Sequence, residues 1–202
     1  MMLALDILRR TLGGTDLSVP RAMAAVAQIQ QDRGELDSAQ RLLEEAVAII
    51  EATYGEDHPD FGRNLDKLAY LLALRGDHAR SREFHERAFL TLAAVYGYDN
   101  VEVGWPLSNL SLVEVALGEL DQALATQTRA HAIFLRADPQ SVAVQIAAWR
   151  IARIELARGR PKVAADILDD ALAQLRTLVA ADHPDVHALA ADLTAARAAS
   201  RS

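Results

Sequence analysis

Histidine is the residue type best suited to metal or acid–base chemistry here, since the 202-residue chain has six histidines and no cysteine. His58 and His183 each follow an aspartate and precede a proline, in Asp57-His58-Pro59 and Asp182-His183-Pro184. They lie three copies of a sequence repeat apart. Distant copies of a repeat array do not touch, so these two cannot share a metal. Each Asp-His-Pro phrase reads instead as a helix start, with Asp or His as cap and Pro in the first turn. His78 and His85 are seven positions apart and could share a helix face, but no third ligand is near, and a zinc site needs three or four. His131 and His187 are isolated. No metal site is expected.

The remaining chemistry is equally sparse. Gly13-Gly14-Thr15 lacks the Gly-Lys-Ser/Thr that completes a phosphate-binding loop. Glu44-Glu45 and Asp169-Asp170 are adjacent pairs that point to different sides of a helix and read as solvated charges. No Ser-His-Asp or Cys-His set can be assembled. Without cysteine there is no disulfide and no thiolate ligand. These observations predict neither an enzyme nor a cofactor.

Composition describes what must hold any site together. Apolar residues make up 51% and aromatics only 5%. Much of the apolar content is Ala and Leu, both good helix formers. Close-packed helices with small side chains at the contacts follow. The net charge is −7, which argues against a nucleic-acid partner, since that needs a basic footprint. Lysine occurs only as Lys67 and Lys162; the preference for arginine reads as base composition. No stretch of about 20 apolar residues occurs, so no membrane span is expected. Met1–Ala4 is followed by Asp6, Arg9 and Arg10, which does not read as a signal peptide. A reducing cytoplasm is the expected location.

Four glycines set a frame. Gly34, Gly76, Gly118 and Gly159 recur at intervals of about 42 residues, a period that marks a solenoid. They open matching phrases: Gly34-Glu35-Leu36-Asp37, Gly76-Asp77-His78, Gly118-Glu119-Leu120-Asp121 and Gly159-Arg160-Pro161. Glycine suits the turn that ends a helix. Small residues recur five positions on (Ala39, Ser81, Ala123, Ala164) and twelve on (Ala46, Ala88, Ala130, Ala171). Seven positions before each glycine stand Ala27, Ala69, Ser111 and Ala152, preceded by Val26, Leu68, Leu110 and Ile151. The longer loops also match: Tyr54-Gly55-Glu56-Asp57-His58-Pro59 aligns with Tyr96-Gly97-Tyr98-Asp99-Asn100, while Ala137-Asp138-Pro139 is degenerate and one residue short.

This pattern resembles tetratricopeptide repeats, and the long period with its Tyr-Gly-x-Asp-His-Pro loop is similar to the kinesin-light-chain type. The resemblance covers nearly the whole chain. It implies an all-α, right-handed superhelical solenoid of antiparallel helix hairpins, with a concave groove for protein or peptide partners. The frame divides the chain into a leading half repeat (1–17), four repeats (18–59, 60–101, 102–142 and 143–184) and a capping helix (185–202) with Asp192, Arg197 and Arg201 facing water. His85 and Gln127 depart from the family, which places a large apolar residue there, and looser packing is expected around them.

In this family the first helix of each hairpin lines the groove. The carried-over face holds Arg21, Gln28 and Asp32, then Arg63, Asp66, Lys67 and Tyr70, then Trp105, Ser108, Asn109 and Leu112, and last Ile146, Trp149, Arg150 and Arg153. Spacings of three, four and seven put each set on one stripe. Both tryptophans fall on this face, and Trp and Arg are enriched at interface hot spots. Arg21, Arg63, Lys67, Arg150 and Arg153 outnumber Asp32 and Asp66, although the chain as a whole is acidic. Asn109 stands where many family members bond a peptide backbone; the other repeats carry Ala25, Lys67 and Arg150 there. The expected ligand is an acidic or carboxylate-ended peptide with an apolar anchor. The competing reading packs Trp105 and Trp149 between hairpins and pairs the arginines with nearby carboxylates.

Residues 1–17 read as half of a repeat, since Leu5-Asp6-Ile7-Leu8 matches Val47-Ala48-Ile49-Ile50 and Gly13 matches Gly55. A half repeat exposes an apolar face. Further chain would cover it, or a second copy in a homodimer. The expected function is a protein-interaction module, as scaffold or peptide-binding domain. The alternative is a ligand-sensing regulatory domain of a larger signalling or nucleotide-dependent switch protein.

Overall fold

The computed structural model describes residues 16–201 together with Ile7, Arg10 and Thr11. The half repeat expected at 1–17, and any homodimer contact through it, fall almost wholly outside these residues. Nine helices are bounded among the described residues, and no strand: α1 Ser18–Asp32, α2 Leu36–Tyr54, α3 Pro59–Leu74, α4 His78–Tyr96, α5 Val101–Ala116, α6 Leu120–Ala137, α7 Val142–Ala157, α8 Pro161–Leu178 and α9 Pro184–Ala199. No helix among these residues is long and apolar enough to cross a membrane.

The short turns inside the hairpins are built alike. Gly34, Gly76, Gly118 and Gly159 all have positive φ, between 74° and 83°. In each, the residue after glycine reaches back to a carbonyl five positions earlier: Glu35 N to Gln30 O at 2.8 Å, Asp77 N to Leu72 O at 3.0 Å, Glu119 N to Glu114 O at 2.9 Å and Arg160 N to Glu155 O at 2.9 Å. This is the Schellman closure of a helix, which needs a left-handed residue at its corner. The long loops cap the next helix with a side chain. His58 Nδ1 accepts from Asp60 N at 3.1 Å, and His183 Nδ1 accepts from Asp185 N at 3.2 Å. Pro59 and Pro184 occupy the first turn. At the matching place Asn100 Oδ1 accepts from Glu102 N at 3.0 Å. In both, the ring nitrogen takes the place of the carboxylate or hydroxyl oxygen that usually caps a helix. Both Asp-His-Pro phrases are thus helix starts.

The chain divides into two compact units, Met1–Val113 and Glu114–Ser202. In the first, α1 packs on α2 and α3 on α4, and the first helices α1 and α3 touch. Val19, Met23, Ile50, Phe61, Leu65, Leu71 and Leu72 fill its core. Burying side chains of this size stabilises by about 1.5–3 kcal/mol each relative to exposure. Gly62 permits one close approach. A Cβ there would lie 3.0 Å from Leu92 Cγ and 3.2 Å from the Ala88 carbonyl oxygen. In the second unit α6 packs on α7, α7 on α8 and α8 on α9, around Leu168, Leu172, Leu175, Leu189 and Leu193. Arg197 of α9 also reaches Asp169 of α8 at 3.0 Å.

The small residues of the frame are all in the interior. Ala27, Ala39, Ala46, Ala69, Ser81, Ala88, Ser111, Ala123, Ala130, Ala152, Ala164 and Ala171 are each 2% exposed or less. His85 and Gln127, where looser packing is expected, are wholly buried as well. His85 Nδ1 lies 2.8 Å from Asp66 Oδ1, and Gln127 Nε2 donates to the Ala147 carbonyl at 3.2 Å. A buried polar side chain needs such a partner, and here each bond ties a second helix to a first helix.

Candidate functional site

The candidate residues of the first unit come together in two neighbouring clefts. One, of about 260 Å³, is lined by Arg63, Asp66, Lys67, Leu92, Glu102, Trp105, Pro106 and Asn109. The other, of about 340 Å³, is lined by Arg21, Ala24, Ala25, Asp60, Arg63, Asn64 and Lys67. Arg63 and Lys67 border both. Helices α1, α3 and α5 supply almost all of these side chains, as the first-helix frame requires. Pro106 stands inside α5. It lacks an N–H, so the carbonyl four residues earlier, that of Glu102, loses its helical donor.

The arginines are held in place by carboxylates. Arg21 Nε contacts Asp60 Oδ2 at 2.7 Å, and Arg63 Nε contacts Glu102 Oε2 at 2.8 Å. Both pairs span 39 residues, from one first helix to the next. Arg63 Nη1 also reaches Asp60 Oδ1 at 2.9 Å, and its Nη2 donates to the Tyr96 hydroxyl at 2.8 Å. Burial pushes the Asp60 carboxyl up, but the Arg21 and Arg63 guanidiniums outweigh it and hold the group below its usual value of 3.8. Burial works against the charge on Arg63, yet Glu102 and Asp60 raise its pKa overall.

Asp60 and Glu102 were absent from the face read in the sequence. With them, three cations (Arg21, Arg63, Lys67) face three carboxylates (Asp60, Asp66, Glu102) around the two clefts. The excess of positive charge expected from the sequence is therefore cancelled in this unit. Arg21 and Arg63 stand one repeat apart, and so do Asp60 and Glu102. That paired recurrence was the signal available in the sequence.

A second recurrence links successive first helices. Asn109 Nδ2 donates to the Asp66 carboxylate at 3.2 and 3.3 Å. In the second unit Trp149 Nε1 donates to Asp192 Oδ2 at 2.7 Å. Both links span 43 residues. Asp192 therefore meets a neighbouring helix, where the sequence reading turned it to water. Asp66 also meets His85, so one carboxylate joins three helices: α3, α4 and α5.

The other candidates are placed as follows. Lys67 is exposed and makes no ion pair or hydrogen bond with the described residues. Trp105 is 43% exposed at the first cleft. Gln28 is exposed and donates to Asp32 at 3.1 Å. Tyr70 is half-buried and borders neither cleft. Ser108 is buried, and its carbonyl accepts from the Ser111 hydroxyl at 2.9 Å. In the second unit Trp149 and Arg150 are half-buried, and Arg153 Nε lies 3.7 Å from Asp192. Among the described residues no group of three or more His, Asp or Glu side chains could hold a metal ion.

The chain matches the family model described as tetratricopeptide repeat over residues 21–89 and 60–136, more than half its length. No curated protein sequence matches it. Among solved structures it is similar to a kinesin light chain-like protein with nearly identical TPR-like repeats from Podosopora anserina. The TM-score is 0.74 at 22% identity, over 92% of this chain and 88% of that one. It is also similar to BtubC (BKLC) from P. vanneervenii, with a TM-score of 0.79 at 20% identity, over 96% of this chain and 78% of that one. These likenesses extend the all-α repeat fold past residue 136, through the part that the family model leaves unmatched. The chain thus belongs to the tetratricopeptide repeat family, whose helical hairpins are protein-interaction scaffolds.

Proposed function

We propose that the first-helix face binds an extended segment of a partner protein that carries one carboxylate, from an acidic side chain or a chain end, beside an apolar anchor. The observation that carries this reading is the placement of Lys67. Among the described residues it is an unpaired cation on the border of both clefts, while Arg21 and Arg63 are already matched to carboxylates. Trp105 stands in the cleft beside it, 43% exposed. A carboxylate set against Lys67 would find a charge without a competing partner. Trp105, Pro106 and Leu92 offer the anchor an apolar wall. Asn109, bonded to Asp66, acts here as a fixed part of the wall.

Titrating short acidic peptides while following tryptophan emission tests this. The expected result is a saturable change that Trp105→Ala removes and Lys67→Glu weakens about tenfold or more, the scale of a hot-spot residue. Unchanged affinity in Lys67→Glu would overturn the assignment.

A further inference from the structure

We infer that the opposite face of the same unit holds a second docking site, between α2 and α4, for an amphipathic segment with an apolar side chain flanked by lysine or arginine. A cleft of about 330 Å³ lies there, lined by Glu44, Val47, Ala48 and Glu51 of α2, by Phe61, Leu65 and Leu68 of α3, and by Arg80, Phe84 and Arg87 of α4. It shares no residue with the two first-helix clefts, so it stands independently of the function proposed above.

The floor is apolar. Val47, Phe61, Leu65 and Leu68 form it, with Phe84 packed against them. The small side chain of Ala48 leaves the cleft open; one period later the same place holds the larger Leu90.

The charges on the rim decide the occupant. Each arginine already has an acidic and an aromatic neighbour. Arg87 contacts Glu56 at 3.0 Å and its guanidinium lies 5.5 Å from the Phe61 ring centroid. Arg80 lies 3.7 Å from Asp77 and 5.5 Å from the Phe84 ring centroid. The acidic wall is open. Among the described residues Glu51 has no partner, and Glu44 accepts only from the Gln40 amide, at 2.8 Å. These two carboxylates lie seven positions apart on one helix, which puts them on one stripe two turns long. An apolar floor beside unmatched negative charge complements an apolar side chain with cationic neighbours. Charge complementarity of this kind selects the partner more than it adds affinity.

The test uses the full chain and a fluorescein-labelled amphipathic peptide of leucine and lysine, with two controls: a scrambled peptide of the same composition and a version with glutamate for lysine. The expected result is saturable binding of the first peptide alone. Ala48→Leu should weaken it about tenfold by filling the cleft. The Glu44→Gln and Glu51→Gln pair should weaken it about two- to fivefold, since rim charges contribute modestly. Lys67→Glu should leave it unchanged. Glu51→Lys, an exposed change on the helix surface, provides a second variant with the same expected direction. Equal binding of the scrambled peptide would mean attraction to an acidic chain without a site. That result, insensitivity to both Ala48→Leu and Glu51→Lys, or loss on Lys67→Glu would each overturn the inference.

Discussion

Trp149 of α7 donates its indole N–H to Asp192 of α9 at 2.7 Å, in the register where Asn109 of α5 meets Asp66 of α3. The two links join successive first helices in different units of the chain. One uses an amide and the other an indole, but both donate to a carboxylate. Trp149 is therefore a tie between α7 and α9, while Trp105 has 43% of its surface exposed.

The tie gives the first prediction. Trp149→Phe keeps an aromatic ring and removes the donor. It should destabilise the docking of α9 by about 1.5–3 kcal/mol, the range for a hydrogen bond to a charged group. Asp192 is partly exposed and can turn to water, so the lower end is expected. Amide exchange in α9 should rise while exchange in α1–α4 stays as it was. Unaltered protection of α9 would show that the bond contributes nothing.

Gly62 gives the second. Alanine is the better helix former by about 1 kcal/mol. Yet its Cβ would press on Leu92 Cγ and on the Ala88 backbone oxygen. Backbone cannot swing aside, and overpacking typically costs about 1–3 kcal/mol. Gly62→Ala should therefore be less stable by roughly 1 kcal/mol in urea unfolding, the excess of the overpacking cost over the helix gain. A gain in stability would mean that α3 and α4 are free to move apart.

The third concerns acid. Asp60 ionises more readily folded than unfolded, because Arg21 and Arg63 outweigh the effect of burial. A carboxylate with a lowered folded pKa contributes stability above its unfolded value, near 3.8, and that contribution fades as pH falls through the folded value. Asp60→Asn should cost roughly 1–3 kcal/mol at pH 7. The gap between parent and variant should close as the pH drops below about 4. A gap of constant size through the whole acid range would rule out the ion pairs as its source.

His131 shows the same linkage through burial alone, which lowers its pKa from 6.5. The unfolded chain then binds the proton more readily than the folded one. Stability from the neutral ring is complete above about pH 6.5 and is lost as the pH falls through the folded value. Denaturation midpoints between about pH 7 and 5 should fall less steeply in His131→Gln than in the parent. Identical slopes would exclude this ring as a contributor.

The sequence by itself determined the repeat and its turns. A glycine that recurs once in every repeat can be read directly, because a left-handed corner excludes most side chains; all four glycines hold that conformation. The small residues five and twelve places on are legible for a related reason, since helices in contact leave no room for larger ones. The two Asp-His-Pro helix starts were also open to reading, because capping involves only residues two apart. What only the tertiary structure decided was which charges meet. Arg21 and Asp60 stand on different hairpins, far apart in the chain, and an ion pair has no local pattern. Its partner is set by how one hairpin stacks on the next. The same holds for Trp149, whose side chain could face a ligand or a neighbour until the position of α9 was known. A stripe of cations on paper thus became a set of matched pairs with Lys67 left over, because neutralisation depends on distances across the stack.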